Sequence, residues 1–173
     1  LIIPQAVAWA EQPWAEDQVK QGLPIFSPVG DAMQIEISRQ ESSELCRKYG
    51  IPVPASYHVQ NRIEARQLME DDPRPYVLKN PICSPFSPVH AIICESPEDT
   101  LGWIERVDYA EGLFLQEYLG KEEAGHFVFI SGGEIRSLVT NQEYKRAFTG
   151  DMGPLAGAPL AGIVEQDPDD KFG

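Results

Sequence analysis

Apolar positions switch between two spacings along the chain and divide it into an alternating first part, a helix-rich middle and a strand-rich end. Leu1–Pro4 is a short apolar run. Pro13 at a start and Gly22 past an end predict a helix over Trp14–Gln21. Leu23–Phe26 is a second apolar run, closed by Ser27-Pro28. Together these predict one strand–helix–strand step of a parallel sheet, which cannot bury its own faces. A short helix is predicted over Asp31–Ile37. Ser38 and Glu41 have capping-box spacing and open a helix to about Tyr49, with Gly50 and Pro52 beyond its end. Ser56–Val59 predicts a strand, and Asn61 to about Glu70 a helix with Ile63 and Leu68 on one face.

Pro75–Lys79 predicts a strand with Val89–Cys94 as its partner, and the proline-rich stretch 80–88 between them a loop. Ser96-Pro97-Glu98-Asp99 starts a helix with a cap, a first-turn proline and acids at the positive end. Leu101, Ile104 and Val107 give that helix its buried stripe. From Gly112 the period becomes two. Leu113–Leu119, Gly125–Ser131 and Glu134–Thr140 are successive strands, and Ser131-Gly132-Gly133 joins the last two as a hairpin. The glycine- and proline-rich stretch 148–162 reads as loop.

Composition narrows the function classes. The chain has 173 residues, 42% of them hydrophobic, enough for a packed core. A net charge of -13 argues against a nucleic-acid partner and against anionic membranes, both of which need basic surface. No run reaches the ~18 apolar residues of a membrane helix, and the acidic start is unlike a signal peptide. Cys46, Cys83 and Cys94 have neither disulfide nor zinc spacing and read as reduced thiols. His58, His90 and His126 lack partners at ligand or triad spacing, and Ser84 and Ser87 form no nucleophile motif. Both ends read as cut, so a fragment of a longer protein is expected.

Four segments, in order, carry a resemblance. GLPIFSPVGDAMQIEISRQESSELCRKYGIPVPASYHV resembles an apolar strand, an E-x-S-K step and a helix ending G-I-P-T. PYVLK resembles a strand ending in an ATP-binding lysine. FLQEYLGKEEAGHFVFISGGEIRSLVT resembles a hinge strand followed by a G-x-E-x-S hairpin. NQEYKRAFTGDMGPLAG resembles a Q-D-H-K-R…G-D-x-G-P loop. All four belong to ATP-grasp carboxylate–amine ligases of the glycinamide ribonucleotide synthetase type, and the likeness runs from about residue 1 to residue 162.

The resemblance implies an α/β to α+β fold: an ATP-grasp fragment carrying the tail of a Rossmann-like domain. Residues 1–36 would be that tail, 37–110 the small lobe, and 111–173 the start of the large lobe. It implies a cytoplasmic ligase that joins phosphoribosylamine and glycine through an acyl phosphate, using ATP and Mg²⁺. Arg39, Lys79, Gln116, Glu117, Tyr118, Leu119 and Glu123 would bind nucleotide, with backbone groups of the hinge reading adenine and Glu123 the ribose. Gln142, Glu143, Gly153 and Pro154 would meet the acceptor substrate, and Lys145 and Arg146 would act in catalysis.

Three departures qualify this. The glycine loop after the lysine strand is PICSPFSP, and prolines lack the amides that close over phosphates. LAGAPLAG replaces N-T-G-G-M-G. The family's metal-binding Glu and Asn motif has no counterpart, so no metal ligand is assigned and this chain alone is expected to be inactive. A relative with another acid and amine, or a degenerate domain that binds without turnover, are the alternatives. Exposed apolar faces are expected to be covered by a homodimer.

Overall fold

The computed structural model describes residues 1–4, 9, 12–82, 91–155 and 161–165, the side chains of 137–138 and 161–165 excepted. The expected loop 80–88 beyond Ile82, Cys83, Ser84, Ser87, His90, the start of the strand at Val89 and much of LAGAPLAG lie outside the described residues. The chain divides into two compact units, Leu1–Tyr118 and Leu119–Gly173.

In the first unit, the opening step is a single parallel bridge. The Ile2 N–H donates to the Pro24 carbonyl at 2.8 Å and the Phe26 N–H to the Ile2 carbonyl at 2.8 Å. Helix α1, Pro13–Lys20, lies between them. The expected helix over 31–37 is two pieces, a 3₁₀ turn Gly30–Met33 and α2, Gln34–Ile37. Ser38 then caps α3, Arg39–Lys48, by accepting the Glu41 N–H at 3.2 Å. The return half of the expected capping box has no task, because the Ser38 N–H already donates to the Gln34 carbonyl. Gly50 and Ile51 close the helix by donating to the Arg47 and Cys46 carbonyls, a Schellman end.

Four antiparallel strands form the sheet of this unit: β1 Ser56–Val59, β2 Tyr76–Lys79, β3 Ile92–Ile93 and β4 Leu113–Glu117, in the order β1-β4-β2-β3. Strand β4 is therefore internal, and the first unit runs through Tyr118. Helix α4, Arg62–Asp71, begins at Asn61, whose Oδ1 accepts the Ile63 and Glu64 N–H groups. Helix α5, Pro97–Ile104, begins at Ser96, whose Oγ accepts the Asp99 N–H.

Both helices contribute to a core containing Val59, Ala65, Met69, Tyr76, Leu78, Cys94, Ile104, Leu113 and Leu115. Fully burying a leucine such as Leu78 or Leu115 stabilises the fold by about 1.5–3 kcal/mol. Two expected stripes shift. Ile63 is 79% exposed while Ala65 and Met69 are buried, since positions five apart on a helix diverge. Leu101 is exposed, and Thr100 takes the buried place beside Ile104.

The second unit is all strand among its described residues. Strands β5, Glu123–Ser131, and β6, Glu134–Tyr144, pair around Gly132 and Gly133, whose φ values of 59° and 81° suit a two-residue hairpin turn. Among its described residues, the stretch read as loop is partly strand. Strands β7, Arg146–Phe148, and β8, Met152–Leu155, form a second hairpin. Strand β9, Ala161–Glu165, adds to β6 in the order β5-β6-β9. The outer half of the first hairpin leaves Phe127, Val128, Phe129, Ile130 and Ile135 exposed.

Candidate functional site

The first unit contains a cleft of about 210 Å³ built from four elements. Helix α2 supplies Ile35 and Glu36, α3 supplies Arg39, Ser42 and Ser43, β2 supplies Lys79, and β4 supplies Phe114 and Gln116. Strand alternation explains the last three. Lys79 faces Phe114 and Val77 faces Gln116 across the ladder, so all four share one face. Leu78, Leu113 and Leu115 take the other face and the core. The Lys79 Nζ donates to Gln116 Oε1 at 2.5 Å.

Arg39 enters from the first turn of α3. Its Nε donates to the Asn80 carbonyl at 2.8 Å, and its backbone N–H to the Pro81 carbonyl. Ser38 forms an antiparallel bridge to Ile82. The helix start is thus stitched to the segment leaving β2, directly after Lys79, and the two cations line one space. Ser43 Oγ donates to the Arg39 carbonyl at 2.8 Å, holding the same turn.

The Glu117 side chain and the Glu117 and Tyr118 N–H groups of the expected hinge are engaged in the fold. Glu117 accepts from Arg74 Nη1 at 2.8 Å on Oε1 and from the Ala55 N–H at 3.3 Å on Oε2. Arg74 Nε in turn donates to Asp72 Oδ1 at 2.6 Å. The Tyr57 and Tyr76 hydroxyls both donate to Asp72 Oδ2. The Arg74 guanidinium, then Tyr76, hold the Asp72 carboxyl below the ordinary aspartate range against the effect of burial. The Glu117 and Tyr118 N–H groups donate to the Ala55 and Pro75 carbonyls. The Tyr118 hydroxyl is buried, with no hydrogen-bond partner among the described residues.

A second group of candidates meets in the second unit. The Lys145 Nζ lies 2.5 Å from Glu123 Oε2 and 3.1 Å from Glu143 Oε2. Asn141, itself buried, donates Nδ2 to Glu143 Oε1 at 3.0 Å. A side chain at Gly125 would collide with it, its Cβ falling 2.6 Å from Asn141 Oδ1. Glu123 and then Glu143 push the Lys145 amine above the usual lysine range, and Lys145 and then Asn141 push the Glu143 carboxyl down. Arg146 Nη1 donates to the Gly153 carbonyl at 3.0 Å, which ties it across the second hairpin next to Pro154. Gln142 pairs with Ala124 and Ile163, and Leu119 is 74% exposed.

Curated relatives in sequence are phosphoribosylamine–glycine ligases. One from Streptococcus suis is 29% identical over 149 residues, which is 82% of this chain and 35% of the relative. One from Lactococcus lactis is 30% identical over 141 residues, 80% of this chain and 34% of the relative. The chain therefore spans about a third of the length of the relatives it matches. No protein-family model matches it. In structure it is similar to the phosphoribosylamine–glycine ligase of Thermotoga maritima, with a TM-score of 0.61, 23% identity, and coverage of 83% of this chain and 38% of that one. It is also similar to a D-alanine–D-alanine ligase from Bacillus anthracis solved with ATP, with a TM-score of 0.59, 16% identity and coverage of 93% and 51%.

The chain has the ATP-grasp fold.

Within this ATP-grasp chain the structure brings Arg39, Lys79 and Gln116 together in the first unit. It brings Glu123, Glu143 and Lys145 together in the second. Glu123, assigned above to ribose, is thus ion-paired to a residue assigned above to catalysis. Sequence reasoning missed Phe114, Ser42, Ser43, Glu36 and Asn141. Phe114 was within reach, since it alternates with Gln116, and Ser43 was too, since it stands four residues from Arg39 on a helix. His126 is structural, its Nδ1 lying 3.1 Å from Thr140 Oγ1 across β5 and β6.

Proposed function

We propose that the chain is the nucleotide-holding part of an ATP-dependent carboxylate–amine ligase that joins phosphoribosylamine to glycine. The observation that carries this is the convergence of Arg39 and Lys79 on one cleft of an ATP-grasp fold. Two fixed cations on adjoining elements suit the oxygens of a phosphate chain, and their charge acts where charge builds during phosphoryl transfer. In the reaction, the terminal phosphoryl group of ATP passes to the glycine carboxylate. The phosphoribosylamine nitrogen then attacks the acyl carbon and phosphate leaves. Lys145 and Arg146 supply cations to the acceptor, with Gln142, Glu143, Gly153 and Pro154 around it. Among the described residues no group of three or more His, Cys, Asp or Glu could hold a metal, and no magnesium ligand is assigned.

Residues 1–36 belong, on this reading, to a Rossmann-like domain, and the single parallel bridge Ile2–Ile25 supports that. A cytoplasmic enzyme paired through its exposed apolar strands completes the reading. A non-catalytic binding domain is the second reading, favoured by the proline-rich PICSPFSP in place of a glycine loop.

The test is a thermal-shift titration of the chain with ATP, with and without magnesium, beside Lys79→Ala. Ligand at about 100 times its dissociation constant stabilises the fold by about 2.7 kcal/mol. A saturable shift that the substitution abolishes is expected. No shift would refute the nucleotide cleft. Assay of the full-length protein with the two substrates then separates ligase from binding domain.

A further inference from the structure

Arg39, Ser42 and Ser43 stand three and four residues apart on α3, so they share one face, and all three line the cleft. The two serines are used differently. A helical serine can turn its hydroxyl back to the carbonyl four residues earlier. Ser43 does so, donating to the Arg39 carbonyl at 2.8 Å, and it is buried. Ser42 does not. Its N–H donates to the Ser38 carbonyl and its side chain is half-buried. Its hydroxyl has no hydrogen-bond partner among the described residues. An O–H donor that the fold does not use therefore lines the same space as Arg39 and Lys79.

Resting on the proposal that this cleft holds the phosphates of ATP, we infer that Ser42 is a phosphate-binding residue, its hydroxyl donating to a phosphate oxygen. The charge of the cleft makes a neutral donor useful. Arg39 and Lys79 bring positive charge, and Glu36 sets one carboxylate against them. Each cation already spends a donor inside the fold, Arg39 Nε on the Asn80 carbonyl and Lys79 Nζ on Gln116 Oε1. Ser42 adds a donor one helical turn from Arg39. A hydrogen bond to an ionised oxygen is shorter and stronger than one between neutral groups. The Ser42 hydroxyl also gives up no bond within the fold to make it, whereas the Ser43 hydroxyl would have to leave the Arg39 carbonyl.

The experiment is isothermal titration of the full chain with ATP and with inorganic tripolyphosphate, magnesium present, beside thermal melts without ligand. Wild type is compared with Ser42→Ala, Ser42→Cys and Ser42→Thr. Alanine has no donor and a thiol is a weak one, so both are expected to raise the dissociation constants about tenfold. Ser42→Thr keeps a hydroxyl and should stay within about twofold of wild type. Melting temperatures without ligand should match wild type in all three, a result that a merely structural role for Ser42 would not give. Wild-type affinity in both Ser42→Ala and Ser42→Cys would overturn the inference and leave the nucleotide cleft standing. A loss for ATP with tripolyphosphate unaffected would overturn it too, because the hydroxyl would then act on another part of the nucleotide. If tripolyphosphate does not bind, the ATP constants decide. Absence of ATP binding by wild type would overturn both the inference and the cleft.

Discussion

Thr100 is a polar residue on the buried face of α5, and removing its hydroxyl has a calculable cost. The side chain is fully buried. Its Oγ1 accepts the Tyr76 N–H at 3.1 Å and donates to the Ser96 carbonyl at 3.2 Å. Thr100→Val keeps the shape and deletes both bonds. The Ser96 carbonyl still accepts the Thr100 N–H, so it stays satisfied. The Tyr76 N–H, at the first position of β2, loses its acceptor in a dry site. An unsatisfied buried donor costs about 1–3 kcal/mol. The added methyl offsets part of this, leaving about 1–2 kcal/mol and a melting temperature lower by roughly 5 °C. Urea denaturation measures the first quantity, and hydrogen exchange at the Tyr76 amide locates it. Thr100→Ser restores the acceptor and should restore amide protection, at the loss of about 0.8 kcal/mol for one methyl. Wild-type stability in Thr100→Val, with unchanged protection at Tyr76, would refute the reasoning.

Three further outcomes follow from the same geometry. Asp72 has a lowered folded-state pKa, so its contribution is fully present above the ordinary aspartate range and is lost as pH falls through the folded value. The stability gap between wild type and Asp72→Asn, followed by urea melts, should be widest near neutrality and close in acid; a gap constant with pH would refute the assignment. With Cys83 replaced by serine, a thiol reagent at pH 8 should label half-buried Cys46 first. Cys94, whose thiol burial pushes up to about 11, should react only on unfolding, and equal rates would contradict this. Gly153→Ala places a methyl 2.4 Å from Phe148 Cδ2 at a φ of 84°, whereas Gly150→Ala, at a φ of 77°, meets nothing within 4 Å. Both carry a left-handed strain of about 1–2 kcal/mol, and Gly153→Ala should cost measurably more in a thermal melt; equal losses would rule out the Phe148 clash.

The features legible in the sequence were those with a local cause. Ser38 and Ser96 each cap the helix their spacing announced, because a cap needs only a side-chain oxygen and the next free amides. The Gly132-Gly133 turn is equally local. Strand order is not. Strand β4 inserts between β1 and β2, and that choice depends on which apolar faces meet across dozens of residues. The helix stripes misled because alanine and threonine hold the buried places in α4 and α5, while larger apolar residues beside them face out. The stretch 148–162 reads as loop from its glycines and prolines, yet a two-stranded hairpin has edges that tolerate Pro154 and turns that use Gly150 and Asp151. Lys79 was legible as a strand-end cation. Its bond to Gln116 was not, since it depends on the β2–β4 register.

On the resemblance, Arg39 falls at the lysine of the E-x-S-K step, and on the proposed function the geometry gives that exchange a physical reason. A lysine offers a single ammonium on a flexible stem. Here the position has two tasks. It holds the start of α3 against the Asn80 carbonyl just past Lys79, and it lines the cleft with positive charge. A guanidinium can do both, because its Nε donates sideways to Asn80 while its Nη groups extend beyond that bond on the same rigid plane. The bond to Asn80 also removes much of the rotamer freedom that a long cation would otherwise lose on meeting an anion. An arginine so anchored trades the reach of lysine for preorganisation, and it does so in a chain whose following segment, PICSPFSP, is poor in the flexible glycine amides that would otherwise surround a phosphate. On the proposed function, a cation fixed to the Asn80 carbonyl supplies charge that a glycine-rich sequence would deliver through its amides.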